Sequence, residues 1–191
     1  MPPRTGERKT QILQLIAKML ENPKGEKITT AAMAKKLDVS EAALYRHFAS
    51  KAQMFEGLIE FIESSLLGVI NQITAEETQG LKQVQAIMLM MLKFSHSNPG
   101  MTRVLIGDAL MNEDERLQVR INALTDKLEA ALKQSLRIAV TQNDMPAALD
   151  VAAQANLLIC YVTGRWHQFA KSGFKKNPVD GFEKQLPMML G

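Results

Sequence analysis

The sequence predicts an all-α protein: a three-helix N-terminal head on a longer antiparallel helical bundle, about nine helices in all. Three observations predict it. Apolar residues recur at three- and four-residue spacing along almost the whole 191-residue chain. No stretch alternates with period two for the length of a strand. Positive charge gathers at the front: residues 1–55 hold ten Lys/Arg and five Asp/Glu, whereas residues 56–191 hold thirteen and fifteen.

The first helix shows in the stripe Ile12, Leu15, Ile16, Met19 and Leu20, stopped by Asn22-Pro23-Lys24-Gly25. Thr29 or Thr30 caps a short second helix through Met33 and Leu37. Asp38-Val39-Ser40 makes a turn, and Ser40, with Glu41 in the first turn, starts a third helix to about His47. Ser50 caps a long helix from Lys51 to about Ile73, followed by one from Leu81 to His96 that Asn98-Pro99-Gly100 ends. A short helix runs through Val104, Leu105, Ala109 and Leu110. A long one follows from Asn112 to Val140, closed by Gln142-Asn143-Asp144. The last long helix is expected from Pro146 to Lys171, with a further short one from Asp180.

With 46% hydrophobic and 23% charged residues the chain has the balance of a globular protein. The Met-Pro-Pro-Arg start lacks the apolar core of a signal peptide. The apolar run Ala86–Leu92 is too short to span a bilayer. The expectation is therefore a soluble, cytoplasmic protein. Cys160 is the single cysteine and lies in an apolar run, so a buried structural thiol is expected and no intrachain disulfide is possible. Three histidines without metal spacing, and no phosphate-cradling glycine loop, argue against an enzyme; no cofactor and no metal are expected.

The segment Ile28 to Phe48 has the pattern of a helix-turn-helix. Ala31, Ala32 and Ala34 on one helix and Ala42 and Ala43 on the next are small where two helices must cross closely, and Leu37, Val39 and Leu44 pin the crossing. The second helix then offers polar side chains to a B-form major groove, which admits one helix; this favours double-stranded DNA over RNA. Ser40, Glu41, Ala42, Ala43 and Arg46 face that groove, with Arg46 the strongest candidate for a guanine edge and a phosphate the other reading. Residues 1–50 are thus expected to form the DNA-binding head. Residues 51–191 form the body for regulation, partners and dimerisation.

The run Leu44-Tyr45-Arg46-His47-Phe48-Ala49-Ser50-Lys51 resembles the Leu-Tyr-x-His-Phe-x-x-Lys ending of the DNA-binding head in the TetR family. The resemblance implies a TetR-like fold acting as a homodimer on a palindromic site. It implies that Tyr45, His47 and Lys51 touch phosphates. Thr29 and Thr30 would offer hydroxyls and N–H groups to another. Arg8 and Lys9, with Arg4 ahead of them, would add backbone or minor-groove contacts, and Phe48 is read as core. The expected dimer interface is a four-helix pack of Glu113–Val140 and Pro146–Lys171 from each copy. Leu158, Val162, Trp166 and Phe169 are assigned to it, an inward-facing core being the alternative.

The body is also informative. Leu58 to Leu66, Asn98-Pro99-Gly100 with Thr102-Arg103, Ala109-Leu110-Met111, Arg116-Leu117-Gln118, Arg120-Ile121-Asn122 and Phe174-Lys175 look like the SlmA-type nucleoid-occlusion branch of that family. That resemblance implies nucleoid-associated, DNA-bound dimers that inhibit assembly of the division protein FtsZ. It implies an FtsZ-binding surface on the fourth and fifth helices. Phe61 and Asn98 match the branch. Val69, Lys93 and Ser97 stand where Arg, Gly and Arg are usual. Phe61 also falls beside Leu58 and Ile62, where core packing is the other reading. Met88, Met90 and Met91 suit either bundle core or an adaptable ligand pocket. The second function in view is a ligand-responsive TetR-type repressor, whose body would hold a cavity with a few convergent polar groups.

Overall fold

The computed structural model describes residues 5–22 and 28–191; Arg4 and the stop at Pro23–Gly25 lie outside them. Among the described residues there are nine α-helices and no strand. They are α1 (Thr5–Leu20), α2 (Thr30–Lys36), α3 (Glu41–Tyr45), α4 (Lys51–Glu76), α5 (Gly80–Ser97), α6 (Pro99–Leu105), α7 (Glu115–Thr141), α8 (Val151–Lys171) and α9 (Phe182–Leu190), with one 3-10 turn at Asp108–Leu110. Two compact units emerge: residues 1–62 with 98–121, and residues 63–97 with 122–191. α4 and α7 each start in the first and end in the second.

Local chemistry sets the boundaries. Thr29 is the N-cap of α2, its Oγ1 accepting from Ala32 N at 3.1 Å, and Ser40 caps α3 in the same way from Ala43 N at 3.2 Å. Between them Asp38 takes a left-handed φ of 53°, which a short polar side chain tolerates. At the start of α4 Ser50 Oγ accepts from Gln53 N (3.1 Å), and Gln53 Oε1 reaches back to accept from Ala49 N, just before the cap (2.8 Å). α3 stops at Tyr45 rather than His47, with Arg46 as its C-cap.

The expected start of α8 at Pro146 is corrected to Val151. Asp150 accepts from both Ala152 N and Ala153 N at 3.0 Å and outcompetes the proline as a cap, while Pro146–Leu149 form a turn. The single helix expected through Val104 and Leu110 is broken by Gly107, at φ 78°, into α6 and the 3-10 turn. α7 begins at Glu115 rather than Asn112, because Asn112 is left-handed (φ 66°) and Asp114 Oδ1 accepts from Arg116 N.

In the first unit α1 packs on α6 and α2 on α3. Ile12, Ile16, Met33, Leu44, Phe48 and Phe55 are buried there, so Phe48 is core as expected. Arg103 of α6 donates to Leu20 O at 3.2 Å, satisfying a carbonyl at the end of α1. In the second unit α5 packs on α8. Gly80 lies so close to α7 that a Cβ there would sit 2.3 Å from Ala139 N and 2.4 Å from Ser135 O. Buried Gln83 spans this contact, accepting from Ser135 Oγ at 2.9 Å and donating to Glu77 O at 2.6 Å.

α8 reverses two expectations. Leu158, Val162, Trp166 and Phe169 are at most 1% exposed within one chain, so they have no surface left for a second copy. The bulk of the two aromatics is best used inside, and Trp166 Nε1 finds the Met91 carbonyl at 3.2 Å. Cys160 is exposed, not buried: Leu158, Ile159 and Val162 occupy the inner face, and the intervening residue turns outward. Met88 and Met91 are core.

α9 is clipped to α8 and the loop before it. Tyr161 donates to Gln185 Oε1 (2.6 Å), Gln154 to Met189 O (2.6 Å), and Arg165 to the carbonyls of Asn177, Pro178 and Asp180. Burial raises the Tyr161 phenol above its ordinary value near 10, partly countered by the Arg165 charge. No helix among the described residues is long and apolar enough to cross a membrane.

Candidate nucleic-acid interface and body groove

The head presents its candidate contacts on short, capped helices. Tyr45 is 45% exposed, Arg46, Glu41 and Ala42 are exposed, and Ala43 is half-buried. Arg46 has no acidic partner among the described residues, so its guanidinium is available to a base edge or a phosphate. Glu41 is not free: its Oε2 accepts from Thr30 Oγ1 at 2.6 Å, and Tyr45 OH lies 3.5 Å from the same hydroxyl. That bond ties the first turn of α2 to the first turn of α3 and fixes their crossing. The Thr30 hydroxyl proton is given to Glu41, whereas Thr29 Oγ1 only accepts and keeps its own proton, so the Thr29 hydroxyl and the free N–H groups of the first turn of α2 are what it can offer a phosphate.

His47 is half-buried, and its Nδ1 is covered with no hydrogen-bond partner among the described residues. Arg8 Nη1 donates to Gln11 Oε1 (2.9 Å), and Lys9 lies 5.6 Å above the Phe48 ring. Lys51, at the start of α4, is ion-paired with Glu113 Oε1 and stacked 5.6 Å from the Phe55 ring centroid.

The second unit carries an open trough of about 450 Å³ between α4 and α5. Val69, Lys93 and Ser97 line it with Leu89, Met90 and Phe94, and Lys93 is its only charged lining residue. Three of the five body positions singled out in the sequence therefore share one groove, and Met90, unlike Met88 and Met91, is part of its wall. Phe61 and Asn98 belong to the other compact unit. Phe61 is 44% exposed, which corrects the core reading, and Asn98 occupies the N-cap position of α6.

Family profiles match both parts of the chain: "Bacterial regulatory proteins, tetR family" over residues 26–58, and the SlmA-like "Tetracyclin repressor-like, C-terminal domain" over residues 78–191. The nucleoid occlusion factor SlmA of Alteromonas mediterranea is 51% identical over 178 residues, covering 93% of this chain and 91% of that protein. SlmA of a Marinomonas species is 48% identical over 189 residues, covering 99% and 96%. The chain belongs to the SlmA family.

Solved regulators share this SlmA fold at low identity. FadR from Bacillus subtilis, in complex with stearoyl-CoA, superposes with a TM-score of 0.81 at 13% identity, covering 95% of this chain and 97% of that one. FadR from Bacillus halodurans gives 0.82 at 14%, covering 99% and 97%. Sequence reading missed two features of this SlmA chain. One is Glu113 beside Lys51, which no local pattern signals across 62 positions. The other is the outer face of α8, where Leu157 is 50% exposed beside Cys160 and Gly164.

Proposed function

We propose that this SlmA-family protein is a nucleoid-associated, DNA-bound inhibitor of cell division: dimers read a palindromic duplex site and, on DNA, block FtsZ ring assembly over the chromosome. The observation that carries the reading is identity near one half across both head and body, because regulators that share only the head are unrelated in the body. Residues 1–50, joined by Lys51 at the start of α4, supply the DNA-reading surface, a division by function rather than by compactness. Thr29, Thr30, Ser40, Glu41, Ala42, Ala43, Tyr45, Arg46, His47, Lys51 and Arg8 form it, with Glu41 acting through Thr30. The groove residues Val69, Lys93 and Ser97, together with Phe61 and Asn98, are assigned to FtsZ. Lys93 gives the groove a positive charge for an acidic segment.

The second copy is assigned to the outer face of α8, around Leu157, Cys160 and Gly164, in place of the stripe that the chain buries itself. The test is FtsZ sedimentation with GTP, with and without a duplex selected from random sequence. A palindrome that lets the bound protein reduce FtsZ polymer is the expected result. A palindrome with no effect on FtsZ transfers the protein to the ligand-responsive repressors, and no palindrome removes the DNA-reading model.

A further inference from the structure

The cations of the head fall into two kinds. Lys18 pairs with Glu21 and Arg8 bonds Gln11, each one turn away, and exposed Lys9 lies over the Phe48 ring without an acidic partner among the described residues. Lys51 differs. It stands directly after the recognition run, at the start of α4, and its ammonium is held by a carboxylate from the turn that leads into α7. Both side chains are largely covered, at 30% and 20% exposure, so solvent screens this pair less than the surface pairs.

Glu113 is also held in place from behind. Its N–H donates to Leu110 O at 3.0 Å, and left-handed Asn112 precedes it. Arg116 pairs with Asp114 (3.2 Å) and with Glu56 of α4 (3.0 Å), and Arg120 donates to the Glu56 carbonyl at 3.4 Å. The start of α7 is thereby fastened to α4 at two points on Glu56, and the Arg116–Asp114 pair ties the turn to it, which restricts where the Glu113 carboxylate can sit.

A carboxylate and a phosphate ask the same thing of an ammonium. Lysine presents a compact point charge with three donors, and a resident anion both occupies a donor and repels an arriving anion. We propose that Glu113 sets DNA affinity: it occupies the Lys51 ammonium and must yield it, in whole or in part, to a backbone phosphate. The inference rests on the DNA-binding reading above. Because the phosphate contact carries no base information, the carboxylate lowers affinity for every sequence alike. It thins occupancy of arbitrary chromosomal DNA without altering which site is preferred.

The test uses the full-length protein, the selected palindrome and a scrambled duplex of equal length, with fluorescence anisotropy across a monovalent-salt series. Glu113→Gln tightens binding to both duplexes by about two- to fivefold, the scale of a partly exposed ion pair. It also steepens the salt dependence by up to about one counterion, as Lys51 turns fully to phosphate. Lys51→Ala weakens both, and adding Glu113→Gln to it restores nothing. Glu113→Asp, which keeps the charge, stays near wild type. An equal gain from Glu113→Gln in the Lys51→Ala background overturns the proposal, because the effect is then a general change of charge. An equal gain from Glu113→Asp overturns it in favour of turn geometry. No gain, or a loss, from Glu113→Gln makes Glu113 a mere support for Lys51 and sinks this proposal alone. A wild-type protein that binds neither duplex removes the DNA reading as well.

Discussion

Arg46 and Ser40 show what single residues contribute at the reading end. Arg46 is exposed and unpaired among the described residues, so Arg46→Ala removes one contact and little structure. Selection from random duplexes should then show relaxed preference at one position per half-site and a loss of about 1–3 kcal/mol; uniform weakening with the preference intact would reassign Arg46 to a phosphate. Ser40→Ala strips the only side-chain cap of a five-residue helix, at about 1 kcal/mol of stability by denaturant titration. Ser40 was legible because its partner, Ala43 N, lies within one turn, and caps and the alanine crossing are local signals. Phe61 was ambiguous for a geometric reason. It neighbours Leu58 and Ile62 in number, yet at about 100° per residue it points more than a right angle from the middle of the stripe that Phe55, Leu58, Ile59, Ile62 and Leu66 bury.

At the scale of elements, close approach and clipping decide what changes are tolerated. α1 and α6 meet at Gly100, where an added Cβ would sit 1.9 Å from the Ala17 carbonyl oxygen. Gly100→Ala should lower stability by about 1–3 kcal/mol or more, with a fall in melting temperature, since backbone rather than a flexible side chain must move. α9 depends on the Tyr161 clip. The folded phenol titrates above the ordinary value near 10, so its contribution is intact below that pH and is lost as pH rises through the folded pKa. Tyr161→Phe should flatten the alkaline loss of stability measured by denaturant midpoint against pH. The helix count and the order of helices were legible from the 3.6-residue period. The start of α8 was not, because a proline and an aspartate four positions apart both read as helix starts and only the side-chain hydrogen bonds of Asp150 decide between them.

At the scale of the whole molecule, α8 is apolar on both sides, and that is why the sequence could not say which stripe meets a partner. The aromatic stripe went inward. The outer face keeps Leu157, half exposed, and Gly164, above which an added Cβ meets nothing within 4 Å. Leu157→Arg should leave the single chain folded, convert dimer to monomer by analytical ultracentrifugation, and abolish tight binding to the palindrome, since one head reads only half a site. A Leu157→Arg protein that stays dimeric would place the interface elsewhere. The charge asymmetry was legible directly. The pairing of Lys51 with Glu113 was not, because it joins residues that only the fold brings together.

The unit that holds the DNA-reading helices is discontinuous, drawing on residues 1–62 and 98–121. On the ribosome the head emerges first, yet the partner of α1 is α6, about eighty residues later. At roughly 5–20 residues per second, the side of α1 that meets α6 at Ala17 and Leu20 stays uncovered for several seconds of synthesis. Nascent chains stalled before residue 99 should therefore be protease-sensitive and chaperone-bound in their first sixty residues, and become resistant only once α6 has cleared the exit tunnel. Competence to bind the chromosome is thus acquired after most of the chain has been made, not when the reading motif first appears.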